Sequence, residues 1–323
     1  MRAIWLALCV LLGGGTAARA LDLTVTHYGE GMYGLPFAVA KEKGYFKDAG
    51  LDVTGFITSA GGGTTVRNAM AAEIPYGEVA LPAAIAAIQG GLDLTIVHGG
   101  TVNVADVIWA RRKDDTGIKG VADLKGRKVG YSSPKSVTDM LLTMMLHDAK
   151  LEGQVEVKSV GGVGTAETAL REKAVDMVYI NQPIWSRDHD KFAEVLNAAT
   201  AAPHVTQTVG VVRTDYLKAH GDVIRKIIEA RRKGVEYVRA HPAESAAILA
   251  KAYKLDPEVA RRAVDAMLGS PDGYWSLGGF DYTGLDNMLK GQQAIKAVAE
   301  GPFDWSKVLD ESYLPADLRK PKS

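Results

Sequence analysis

Cysteine is almost missing from this chain: the one thiol among 323 residues is Cys9, inside the first twenty. Everything after residue 20 is therefore closed to disulfides, thiolate catalysis and cysteine-ligated metal. Excess charge is missing too, with 38 Lys+Arg against 38 Asp+Glu. That balance gives no support for a nucleic-acid partner or a polybasic membrane surface. No later run approaches the roughly eighteen apolar residues of a membrane-spanning helix. The chain also lacks H-E-x-x-H, G-x-S-x-G and any carboxylate pair at motif spacing. Distant residues can still meet in space, so these gaps lower the weight of a hydrolase without removing it. His27 and His98 end two apolar runs and are candidates to face a cleft, but no third ligand has matching placement for zinc. No metal and no cofactor are expected.

The first twenty residues read as a secretory signal peptide. Arg2 precedes an apolar core from Ala3 to Leu12, and Ala18-Arg19-Ala20 offers a cleavage site. Bulky Leu8 before Cys9 disfavours lipid anchoring, and there is no twin-arginine pair. Cleavage after Ala20 removes Arg2 and Arg19, leaving two net negative charges. The expected location is the periplasm.

Short apolar runs then alternate with helical patterns, which predicts α/β architecture with largely parallel sheets. A polar stretch, "KDDTGIKG", separates two such blocks. The first run ends in Gly29-Glu30-Gly31-Met32-Tyr33-Gly34, matching G-x-G-x-x-G, with Asp52 eighteen positions on. A dinucleotide reading has faults. The following helix ends by about Lys43, and Asp52 opens the second strand, whereas the ribose-binding acid closes it. A glycine-rich strand-to-helix loop is the better account. Such loops face the crevice in open α/β sheets, where helix N-termini offer unpaired N–H groups. Residues 27–34, 59–65, 80–82, 132–136 and 181–185 are loops of this kind. Three fall in the first block and two in the second, which suggests a cleft between lobes.

At residues 34–53, "GLPFAVAKEKGYFKDAGLDV" resembles the opening signature of periplasmic solute-binding proteins of the sulfonate, taurine, nitrate and thiamine-pyrimidine-precursor group. The similarity continues in "AIAAIQGGLDLTIV", "DLKGRKVG" and "AHGDVIRKIIEARRKGVEYVRAHPAESAAILAK", and ends in "FDWSKVLDESYLP". The resemblance implies a two-lobed type II periplasmic binding protein fold, each lobe a mixed sheet flanked by helices, with a helical C-terminal segment. It implies delivery of a cleft-bound small molecule to an ABC permease and ATPase. The missing catalytic motifs make an enzyme unexpected, and the cysteine-rich iron motif of a pyrimidine-synthesising enzyme in the same fold family is lacking here. Lobe 1 is expected at 21–112 plus 214–323 and lobe 2 at 113–213, in a monomer.

Candidate ligand contacts follow loop by loop. Tyr28, Glu30 and Tyr33 lie in the first. Ser59, Gly62, Gly63, Thr64 and Thr65 lie in the second, where the resemblance implies a ligand contact. Leu81 belongs to the third. Ser132, Ser133 and Ser136 line the fourth, with Ser133 expected as helix N-cap before Pro134. Asn181 and Gln182 could bond a ligand that Trp185 covers as an apolar wall. Arg67, one turn into its helix, could pair with an anion. The glycine- and serine-rich helix starts favour a small organic anion, such as a sulfonate or aromatic carboxylate. Glu30 and the aromatics favour a pyrimidine or other nitrogen heterocycle instead. A secreted hydrolase and a sensor component are further readings.

Overall fold

The computed structural model describes residues 21–59, 62–202, 204–271 and 273–320; the expected signal peptide lies outside them. The strands are β1 (Leu21–Val25), β2 (Val53–Ile57), β3 (Tyr76–Ala80), β4 (Leu94–Gly99), β5 (Val107–Arg112), β6 (Lys128–Tyr131), β7 (Glu156–Ser159), β8 (Met177–Asn181), β9 (Phe192–Asn197) and β10 (Thr208–Arg213). They form two five-stranded sheets, ordered β2-β1-β3-β10-β4 and β7-β6-β8-β5-β9. The two orders follow one pattern. In each sheet β1 or β6 pairs parallel with both neighbours, and one strand, β10 or β5, runs antiparallel between the last two.

Those antiparallel strands correct the expected boundaries at 112/113 and 213/214. β5 was expected to close the first lobe, and the boundary after 213 left β10 in the second although 206–217 reads as the segment that carries the chain back towards the first. Each is built into the opposite sheet. The chain changes lobe before each strand, along 100–106 and 204–207. The two crossings run side by side. Gln207 N donates to Thr101 O at 2.9 Å and Gly100 N to Thr208 O at 2.9 Å. Fully buried β5 residues Ile108, Trp109 and Ala110 fill the second sheet's core, which explains why an apolar run alone could not reveal its sheet.

Helices α1 (Leu35–Glu42), α2 (Tyr45–Asp48), α3 (Gly62–Ala71) and α4 (Leu81–Gln89) follow the first strands. The second lobe carries α5 (Val137–Asp148), α6 (Val163–Arg171), α7 (Ile184–Asp188) and α8 (Ala198–Ala201). The C-terminal part is α9 (Thr214–Ala240), α10 (Pro242–Tyr253), α11 (Pro257–Leu268) and α12 (Tyr282–Ala294). The buried stripe of α9, including Ile224, Ile227, Ile228, Val235 and Val238, has helical spacing and packs largely on α1. His241 and Pro242 end that helix as the sequence predicts, and Asp256 caps α11 by accepting from Glu258 N at 2.8 Å. Past α12, the chain returns to the exposed edge of the first sheet, where Ile96 N donates to Val308 O at 2.7 Å and Asp310 N to Ile96 O at 3.0 Å. That contact covers the edge of β4.

One buried ion pair ties these parts together. Glu78 of β3 and Arg231 of α9 are both fully buried, with Nε 2.6 Å from Oε2. Thr208 donates to Glu78 Oε1 at 2.9 Å, while Arg231 also donates to Gly100 O at 3.0 Å and Ser276 O at 2.7 Å. Sheet, long helix and both crossings thus share one charge network. Removing one partner strands a charge away from water. Arg231→Met should therefore lower unfolding free energy by about 3–5 kcal/mol in urea titrations. A variant as stable as the parent would show that the pair does not brace the crossings.

Candidate functional site

A cleft of about 870 Å³ opens between the lobes. The first lobe lines it with the loop after β1, the start of α3 and the start of α4. The second lobe lines it with residues 132–138 before and at the start of α5, and with Gly161, Gly162 and Val163 at the start of α6. Val107, Gln207 and Thr208 form its floor, and Tyr179 and Asn181 of β8 its inner wall. Four helix N-termini, two per lobe, therefore meet across one space. Each end brings the positive end of a helix dipole; at α4 the Leu81 N–H is already taken by Gln207 O and Pro82 has none, and at α5 Ser136 caps Asp139 N.

In the second lobe, Lys135 has φ +66, a left-handed conformation that a right-handed helix cannot contain. The helix consequently starts at Val137 with Ser136 as cap, accepting from Asp139 N at 3.1 Å. This corrects the expectation that Ser133 would cap it. Ser132 Oγ sits 2.8 Å from Ser136 Oγ and 2.7 Å from Thr138 Oγ1, making a cluster of three hydroxyls at the cleft wall. Ser133 lines the cleft without being that cap.

Cations outnumber acids on the lining. Arg67 and Lys135 line it together with Glu30, whose exposed carboxylate lies 3.7 Å from His27 Nδ1. The contact with His27 holds the Glu30 carboxyl below its usual range. Arg67 donates to Thr64 Oγ1 at 2.9 Å, which holds the guanidinium over the start of α3.

Beneath the floor, Asp106 is fully buried at the end of the first crossing. Tyr33 Oη donates to its Oδ2 at 3.0 Å and Asn181 Nδ2 to the same oxygen at 2.7 Å. The Gln207 amide is oriented by its neighbours: with nitrogen inward it donates to Asn103 O at 3.1 Å and Asp106 Oδ1 at 3.2 Å. The opposite orientation would set its oxygen against two acceptors. Burial pushes the Asp106 carboxyl above its usual range, while hydrogen bonds from Asn181, Tyr33 and Tyr274 pull it partly back. Burial, then the charge of Asp106, raises the Tyr33 hydroxyl far above its ordinary value. This one carboxylate gathers groups from both lobes and both crossings.

Of the residues singled out from sequence, Glu30, Tyr33, Gly63, Thr64, Ser132, Ser133, Ser136 and Asn181 line the cleft. Others do not. Tyr28 stacks on Phe56 at 4.5 Å and meets Tyr253 edge-on at 5.3 Å. Ser59 and Thr65 bond each other at 2.5 Å; Gly62 begins α3. Leu81 is buried in the core, with its N–H donated to Gln207 O at 2.9 Å. Gln182 caps α7 by accepting from Ser186 N at 3.2 Å. Trp185, expected as the cleft's apolar wall, sits on α7 beside His189, Phe192 and Arg262 in a separate hollow. β8 ends at Asn181, so the chain has already turned away from the cleft at Trp185. His98 is buried against Tyr76 Oη at 2.7 Å, and its pKa is pushed down to about 3, first by burial.

Sequence reading missed Asp106, Gly161, Gly162, Tyr179 and Gln207. Signals existed for some of them. "VGGVGTAE" has the same glycine-before-helix grammar as the loop at 59–65, and Asp106 is an acid directly before an apolar strand. The opening glycines have packing reasons instead of a phosphate. Gly29 has φ +91, and a Cβ on Gly34 would fall 2.4 Å from Tyr253 Oη and 2.5 Å from Tyr28 Cδ2.

Residues 32–245 match the family model described as NMT1/THI5 like. A protein of Brucella abortus (strain 2308) named a putative binding protein is 25% identical over 226 residues, 68% of this chain and 67% of its own. A solved structure from Bordetella bronchiseptica RB50 superposes with TM-score 0.71 at 23% identity, covering 91% of this chain and 95% of that one. The periplasmic aliphatic sulphonate binding protein SsuA from Escherichia coli gives TM-score 0.70 at 18% identity over 86% of each chain. The fold is that of periplasmic binding proteins.

The raised carboxyl of Asp106 carries a pH signature. Its native form binds the proton more tightly than the unfolded chain does. Its contribution to stability is therefore present below about pH 3.9, the ordinary carboxylate value, and is lost as pH rises through the higher native one. Asp106→Asn, which does not titrate, should gain stability relative to the parent as pH rises above about 3.9, the ordinary carboxylate value. Urea midpoints from that value upward check this; a constant difference would contradict it.

Proposed function

The chain belongs to the NMT1/THI5-like family, and from that premise we propose that it is a periplasmic receptor that captures a small organic anion and hands it to an ABC importer. The observation that carries the reading is the meeting of four helix N-termini across one cleft, with Arg67 and Lys135 beside them. Dipole ends of this kind stabilise an anionic group without a metal. The hydroxyls of Ser132, Ser136 and Thr138 add donors that can turn toward a ligand.

Binding and closing are one event in this account. A ligand favours the closed arrangement only by contacts that both lobes make at once, here Gly63 to Arg67 on one side and Ser132 to Val163 on the other. A membrane permease with its ATPase would then read the closed shape. Binding rather than turnover is favoured because these hydroxyls bond one another, with no imidazole partner among the described residues. The sulphonate-binding neighbour and the binding protein of Brucella abortus point the same way. A nitrogen heterocycle draws less support, since Glu30 is largely exposed and already faces His27.

Thermal unfolding with sulfonates, aromatic carboxylates and pyrimidines separates these readings. An organic anion at a hundred times its Kd should stabilise the protein by about 2.7 kcal/mol. Arg67→Ala and Ser132→Ala should each weaken that anion by about tenfold, or about 1.4 kcal/mol, with little change in ligand-free stability. Stabilisation by uncharged pyrimidines with no response to any anion would overturn the proposal.

A further inference from the structure

The inner wall of the cleft carries an acceptor whose direction is set by a neighbouring charge. Asn181 closes β8, is more than nine-tenths buried and lines the cleft. Its Nδ2 donates to Asp106 Oδ2 at 2.7 Å. That bond decides which way the amide points, because turning it round would set a carbonyl oxygen against a carboxylate oxygen. The other neighbours of Asp106 hold it in the acceptor role, since Tyr33 donates to Oδ2 at 3.0 Å and the Gln207 amide nitrogen faces Oδ1 at 3.2 Å. Asn181 Oδ1 is consequently committed as an acceptor, and it has no hydrogen-bond partner although it is sealed from solvent. A buried polar atom left unpaired is costly, and most such atoms in native proteins have a partner.

We infer that the ligand supplies that partner: a small organic anion that also bears an N–H donor, which meets Asn181 Oδ1 at the inner wall while its anionic group lies among the helix N-termini. The inference rests on the cleft being the ligand site, as proposed above, and narrows the ligand to a bifunctional class. Asn181 is the specificity-determining residue, and Asp106 is a positioning residue that acts through it. The arrangement would discriminate strongly. An analogue without the donor leaves the acceptor unpaired, and sites built to bond a polar hydrogen reject such analogues far more sharply than sites that only sense size.

Calorimetry with matched probes tests this. One set is 4-aminobenzenesulfonate, benzenesulfonate and 4-(dimethylamino)benzenesulfonate; a second is orotate and 1,3-dimethylorotate. In at least one set the N–H member should bind the unaltered protein about tenfold or more tighter than its partners. Benzenesulfonate removes the donor without adding bulk, so a steric clash of the methyl groups cannot mimic the result. In Asn181→Leu the preference should fall to near unity. It should also shrink in Asp106→Asn, where the neighbouring group can donate as well as accept and no longer dictates the amide's direction. Equal binding of N–H and donor-free members to the unaltered protein, or a preference that survives Asn181→Leu, overturns the inference and leaves the anion reading standing. Failure of every anion to bind overturns both. The comparison on the unaltered protein stands even if a variant does not fold.

Discussion

Two lobes made from one chain need a joint, and here the joint is a pair of crossings that exchange strands. The chain leaves the first sheet after β4 and enters the second as β5; it leaves after α8 and re-enters the first as β10. Each crossing strand is inserted between two others, so neither lobe completes its sheet without a segment delivered by the crossing. The crossings pair with each other through Gly100, Thr101, Gln207 and Thr208, and the buried Glu78–Arg231 pair grips the same residues. The floor of the cleft is therefore a braced part of the fold, and the cleft-lining residues of both lobes are hung from it.

That origin explains the chemistry of the site. Parallel strands deliver their carboxyl ends, and the helices that follow deliver their N-termini, to the same edge of each sheet. Placing two such edges face to face concentrates donors in the cleft. Several acceptors near the cleft are spent internally. Asp106 is filled by Tyr33, Asn181 and Gln207, and the oxygen of Gln182 caps α7. Asn181 Oδ1 and Gln292 Oε1 are buried acceptors without a partner on cleft-lining residues, and in the proposed reading the first makes a general anion trap selective.

Much of this was legible in the sequence because it rests on local chemistry. Strand-helix alternation, glycine before a helix and Asp-Pro capping each act over a few residues, and the loops at 27–34, 59–65 and 132–136 were found by those rules. The exchange of β5 was not legible, and that of β10 only as a return towards the first lobe along 206–217, not as a strand of its sheet. Both are apolar runs that satisfy either sheet, and only the pairing of distant strands decides between them. Trp185 misled for a related reason: an aromatic near the end of a strand suggests a wall, but one further turn of chain carried it to the other side of the lobe. Asp106 and Gln207 were missed because a buried carboxylate and its amide partner lie far apart in sequence and meet only at the crossings.

The central claim is that both lobes hold one ligand jointly at the helix N-termini above the crossings. A crystal structure of the protein with the most stabilising organic anion tests it most directly. The account predicts the anionic group between Gly63–Arg67 and Ser132–Val163, with the far end of the molecule directed toward Asn181. A ligand held by one lobe alone, or seated in the hollow beside Trp185, would contradict it.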